Sequence, residues 1–164
     1  MSSINIYTLA RASVFLLTVS FLLTSCKREA SDLEKLELKE LSGTRIDLSS
    51  YGGKIVFVNF WATWCKPCIQ EMPTIAKAQE ALKDENVVFL FPSNESVELI
   101  RGFKEKRSFD FDYLQVTNLE ALNIQALPTT MIFNAKGERI FSEAGFRDWS
   151  TSENLTLITE AQQP

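Results

Sequence analysis

Histidine is absent from the 164 residues. With it go imidazole metal ligands, imidazole general bases and every Ser-His or Cys-His nucleophile pair. Cysteine is scarce, with three in all, at positions 26, 65 and 68. Three cysteines without histidine fall short of a four-ligand Cys/His zinc site, so no metal is expected. Net charge is also low: 17 basic against 21 acidic side chains leave −4, the wrong sign for neutralising phosphates, and nucleic acid is not an expected partner. Internal repeats and low-complexity tracts are missing. What is present, 45% hydrophobic residues with twelve phenylalanines, is enough to fill the core of one globular domain.

Only one long apolar run occurs, the thirteen residues from Ala12 to Thr24. As a helix it would span roughly 20 Å against a hydrocarbon core of about 30 Å, short for a membrane span and suited to a secretory leader. Arg11 is the only charged residue among the first 25, and Leu23-Thr24-Ser25-Cys26 resembles the bacterial lipoprotein signal, whose cysteine receives diacylglycerol and becomes residue one. Three acyl chains, at ~0.8 kcal/mol per buried CH₂, hold far more firmly than one. The expected organisation is a signal peptide over 1–25, a lipid anchor and tether over 26–34, and one domain over 35–164, in the cell envelope and facing the periplasm. An ordinary signal peptide, or an uncleaved anchor with a chance cysteine, is the alternative. Beyond residue 25 the chain carries a net charge of −5. With Cys26 consumed as a thioether, Cys65 and Cys68 remain as one pair in a compartment where disulfides persist.

The hydrophobic pattern predicts a short hairpin from near Glu37, a buried strand over 55–61, a helix over 65–83 kinked at Pro73, and a second buried strand over 87–91. A helix over 96–106 opened by Asn94 or Ser96, a short irregular strand or loop over 109–113 and a short helix over 118–124 follow. A strand over 129–133, its antiparallel return over 138–143 and an amphipathic helix over 150–160 close the chain. Strands alternating with helices and ending in a hairpin imply an α/β fold, a mixed sheet with helices on both faces.

The most informative octet is Trp61-Ala62-Thr63-Trp64-Cys65-Lys66-Pro67-Cys68, at a strand-to-helix junction. Two cysteines two residues apart in a first helical turn can close a small disulfide ring and reopen it. The unsatisfied N–H groups there, and the nearby Lys66, stabilise a Cys65 thiolate, while Pro67 loses nothing by lacking an N–H. Cys65 is expected to be the more exposed nucleophile, and Cys68, one turn deeper, to resolve the mixed disulfide. A purely structural disulfide is disfavoured, because so small a ring removes little chain entropy.

The run Val58-Asn59-Phe60-Trp61-Ala62-Thr63-Trp64-Cys65-Lys66-Pro67-Cys68 with Glu71-Met72-Pro73 resembles the thioredoxin superfamily, in particular the TlpA/ResA-like membrane-anchored thiol:disulfide oxidoreductases, over about residues 36 to 160. The resemblance implies a thioredoxin-like three-layer sandwich and a redox-active Cys65–Cys68 disulfide with no further cofactor. It makes Leu127-Pro128 a cis-proline loop that pairs with an extended substrate. Where classical thioredoxins carry a buried Asp, this chain has Asn59, which cannot accept the proton of Cys68. Glu71 is the candidate acceptor, its alternative being a solvated helix glutamate. Trp61 and Trp64 resemble the family's aromatic rim beside the disulfide, or are packing residues. Glu95, Glu98, Asp110 and Asp112 read as a solvated face. By resemblance, the partners are protein substrates with disulfides, including apocytochrome c cysteines, and a membrane dithiol electron donor, and the enzyme is a monomer. Reduction of client disulfides is the expected direction; an oxidase or isomerase, and a non-catalytic chaperone or adaptor, are the rivals. A peroxidase is disfavoured by the absence of a Pro-x-x-x-Thr-x-x-Cys pattern.

Overall fold

The computed structural model describes residues 30–161. The signal peptide and Cys26 lie outside the described residues. Six strands form one sheet: β1 (Leu38–Glu40), β2 (Ile55–Phe60), β3 (Val87–Ser93), β4 (Asp112–Val116), β5 (Thr129–Phe133) and β6 (Arg139–Ala144), in the order β1-β4-β3-β2-β5-β6. The β4-β3 and β3-β2 joints are parallel and the other three antiparallel. Parallel neighbours need crossovers, and α1 (Lys66–Ala81) and α2 (Val97–Lys104) supply them; α3 (Ser152–Glu160) closes the chain.

Alternation along the strands divides the core in two. Ile55, Phe57, Phe89, Phe91, Tyr113 and Ile132 join Met72 and Ile75 of α1, Ile100 and Phe103 of α2, and Ile158 of α3 in one cluster. Val56, Val58, Phe60, Met131 and Phe133 turn to the other face, where Leu33, Leu36 and Leu48 cover them from 3₁₀ turns and the 118–124 loop packs on top. The α/β architecture and mixed sheet are thus observed, with α-helices on one face and 3₁₀ turns on the other. Among the described residues no helix is long and apolar enough to cross a membrane.

The hairpin near Glu37 is short, with one bridge, Lys39 opposite Arg45, flanked by bonds from the Glu40 N–H to the Thr44 carbonyl and from the Ile46 N–H to the Leu38 carbonyl, while the other edge of β1 pairs along its length with β4. Three boundaries differ from expectation. β3 runs on through Pro92 to Ser93; Pro92 lacks an N–H, yet its carbonyl accepts from the Trp61 N–H at 3.3 Å. β4 begins only at Asp112, since Phe109 and Phe111 stack on each other and Phe111 on Phe91, with centroids 5.1 and 3.8 Å apart. The 118–124 helix is a single 3₁₀ turn, Glu120–Leu122, ended by Asn123 at φ 54°, a left-handed conformation that asparagine tolerates. α1 stays one continuous element through Pro73.

Candidate active site

β2 is buried at every position and delivers the chain to the octet. Trp61 does not join a rim: it is 1% exposed, its indole N–H donates to the Phe91 carbonyl at 3.0 Å, and its ring packs on Phe103 and Tyr113. Trp64, three residues on, is 72% exposed. Between them Thr63 is held by Glu95, whose carboxylate accepts from the Thr63 N–H at 2.6 Å and its hydroxyl at 2.7 Å. Glu95 is therefore not part of a solvated face; it fastens the loop that presents Cys65. Glu98, Asp110 and Asp112 are exposed, as expected of such a face.

Cys65 and Cys68 form a disulfide with their Cα atoms 5.3 Å apart. Cys65 is the N-cap of α1, and its sulfur accepts from the Cys68 N–H at 3.3 Å. That donor remains in place for a thiolate at Cys65 once the disulfide opens. Cys65 is the more exposed of the two, as expected, but by little: it is 2% exposed and Cys68 0%, because the Cys65 sulfur caps the first turn of α1. Lys66 and Pro67 are exposed beside it.

Antiparallel pairing of Phe60 with Thr129 brings the start of β5 to the same end of the sheet. The Leu127-Pro128 bond is cis, as expected. The Pro128 carbonyl accepts from the Gly145 N–H at 2.8 Å, and no hydrogen bond of the Leu127 main chain is found among the described residues. An extended chain could pair there.

Beneath the disulfide lies a buried polar cluster. Glu71 follows Cys68 by three residues, so both fall on one face of α1, and both are fully buried. The solvated reading of Glu71 is excluded. Its Oε1 accepts from the Trp149 indole N–H at 2.6 Å and the Arg147 N–H at 3.2 Å, and its Oε2 from the Asn59 side-chain amide at 3.1 Å. Asn59 also donates to the Thr130 hydroxyl at 2.9 Å, while its Oδ1 has no partner. Burial pushes the Glu71 carboxyl up from 4.5 to about 7, outweighing the three donors, which pull it down. The carboxyl is thus poised near neutrality one turn along α1 from Cys68.

A family model described as the AhpC/TSA family matches residues 28–138. The chain belongs to that family, in its ResA-like, thioredoxin-like group. A thiol-disulfide oxidoreductase ResA of Halalkalibacterium halodurans is 30% identical over 139 residues, covering 82% of this chain and 79% of that protein. The ResA of Bacillus subtilis is 34% identical over 114 residues, covering 67% of this chain and 64% of its own length. Among solved structures, a thiol:disulfide interchange protein of the thioredoxin family from Chlorobium tepidum superposes with a TM-score of 0.65 at 21% identity, over 80% of this chain and 99% of that one, a likeness of fold.

In this ResA-like chain the structure brings together Cys65, Cys68, Asn59, Glu71, Trp64, Leu127 and Pro128, and leaves Trp61 in the core. Residues without a local motif were not assigned to the site from the sequence: Thr130, Arg147 and Trp149 were given no role, and Glu95 was read as part of a solvated face. Glu95 carried one signal, a carboxylate just past the end of β3, the sheet end that also holds the cysteines. A Trp149→Phe variant keeps most of the ring contact but removes the 2.6 Å donor to Glu71. It is expected to lose about 1–3 kcal/mol of stability at pH 8, read as a lower urea midpoint, and to raise the pKa of Glu71 further.

Proposed function

We propose that this chain is an exported reductase of protein disulfides, anchored to a membrane through Cys26 and working through the Cys65/Cys68 pair without a further cofactor. The observation that carries the proposal is Cys65 at the N-cap of α1, disulfide-linked to Cys68 and beside the cis Leu127-Pro128 loop. In the reduced protein, the Cys65 thiolate attacks a client disulfide, and Glu71 takes the proton that Cys68 must lose. Cys68 then attacks the mixed disulfide, releasing the client dithiol and closing the Cys65–Cys68 ring. A client strand pairs with the open Leu127 main chain against the exposed Trp64 ring.

Reduction is favoured over oxidation by the Lys66-Pro67 dipeptide. A histidine there would stabilise the reduced thiolate and raise the potential, and the chain has none. Resemblance extends the clients to apocytochrome c cysteine pairs and names a membrane dithiol relay as the electron donor. The test is complementation by a Cys65→Ala/Cys68→Ala double variant. Loss of all function in the envelope is expected; full function would assign the Leu127-Pro128 groove to a chaperone or adaptor instead.

A further inference from the structure

The described chain starts at the pole of the sheet opposite the disulfide. β2 runs from Ile55 to Phe60 toward Cys65, and β5 runs back antiparallel, with Phe60 opposite Thr129 and Val56 opposite Phe133. The turn at 134–138, between β5 and β6, therefore lies at the Ile55 end, and residues 31–33 are fastened to it. The Leu33 N–H donates to the Gly137 carbonyl at 2.9 Å, and the Arg139 N–H to Asp32 Oδ2 at 3.4 Å. Gly137, at φ 77°, approaches Ser31 so closely that a Cβ there would lie 2.6 Å from the Ser31 hydroxyl oxygen. Leu33 and Leu36 are buried in the core just beyond. The position of Ser31 relative to the disulfide is thus set by the fold.

Two lengths then decide the orientation. The five residue steps from Cys26 to Ser31 reach at most about 17 Å. β2 alone rises about 17 Å over its five residue steps, and Cys65 lies five residues beyond its far end. The tether is shorter than the domain is tall, so the domain cannot be inverted onto the lipid. Charge does not change this: among the described residues around the turn, Lys54, Lys83, Lys136 and Arg139 are balanced by Asp32, Asp84, Glu85 and Glu138, leaving no net basic patch to draw the pole down. The anchor holds the domain, and the tether length orients it.

Resting on the Cys26 anchor proposed above, we infer that the domain stands on the bilayer by its 134–138 pole and holds Cys65, Trp64 and Leu127 facing away from the lipid. Such a site serves cysteines on water-exposed segments that reach at least about 17 Å from the membrane surface. A donor dithiol lying in the plane of the membrane is out of its reach; the donor must carry its cysteines on a protruding or mobile domain.

The test uses the lipidated full chain in phosphatidylcholine vesicles that contain a phosphatidylethanolamine whose headgroup bears a 2-pyridyl disulfide. Reduced Cys65 attacks this probe and expels pyridine-2-thione; Cys68 then displaces the lipid thiol, so the dithiol is oxidised and the probe reduced. Release of the thione gives the rate. A variant with about twelve Gly/Ser residues inserted after Glu29 should react about tenfold faster than the native tether with the lipid-borne probe, because only the longer linker spans the gap. Both should react equally with soluble 2,2′-dipyridyl disulfide. Equal rates on the lipid-borne probe would overturn the orientation while leaving anchor and chemistry standing. Failure of the native chain to float with the vesicles would overturn the anchor and the orientation with it, and failure with the soluble probe would overturn the redox reading itself.

Discussion

A Cys68→Ser variant, reduced and offered an oxidised protein, accumulates as a mixed disulfide through Cys65 and turns over at least about a thousandfold more slowly than the native pair. The magnitude follows from what Cys68 contributes. It sits one helical turn from Cys65, already within bonding distance, and such intramolecular attack carries an effective concentration on the order of 10⁵ M or more. An external thiol at millimolar concentration cannot replace it. Cys65→Ser should trap nothing, because the Cys68 sulfur is fully buried and lacks the capping position that stabilises a thiolate. Mass spectrometry without reductant reads both variants, and an adduct on Cys68 in the Cys65→Ser protein would reverse the assigned roles.

Glu71→Gln removes a pH dependence from both rate and stability. The native carboxyl titrates near 7 in the fold against 4.5 ordinarily. Between those values the folded protein holds a proton that the unfolded chain has released. Stability therefore falls as pH rises from about 4.5 to about 7 and levels off above, by on the order of 3 kcal/mol in all. The Gln variant should show no such fall in urea titrations of the oxidised protein at pH 5 and 8. Its new amide donor has an acceptor waiting in the unpartnered Asn59 Oδ1, reached by turning the Asn59 amide, so the variant is expected to fold. Activity should drop about 100-fold at pH 7, and the inflection near pH 7 in the reduction rate should vanish. An unchanged pH-rate profile would reduce Glu71 to a buried structural acid.

The parts of the site that a short motif carries were legible before the structure. Cys65, Cys68 and the cis Leu127-Pro128 loop each sit in a dense local pattern, and buried strands such as β2 and β5 announce themselves by runs of β-branched, apolar and aromatic residues. The parts that failed are held by long-range contacts. Glu95 reaches back 32 residues to Thr63, and Trp149 reaches 78 residues to Glu71, separations over which neither periodicity nor composition says anything. Trp61 was ambiguous for the same reason, its burial depending on Phe103 and Tyr113 from two other elements. The aromatic alternation at 109–113 left strand and loop open; the rings stack, and pairing begins at Asp112 with β3 and at Leu114 with β1.

The reduction potential of the Cys65/Cys68 pair, measured by equilibration with glutathione or dithiothreitol in the domain lacking residues 1–26, tests the central claim most directly. A pair that reduces client disulfides should lie near thioredoxin, at about −270 mV. A value near the strong oxidants, at about −120 mV, would contradict the reductase and assign the site to inserting disulfides into exported proteins.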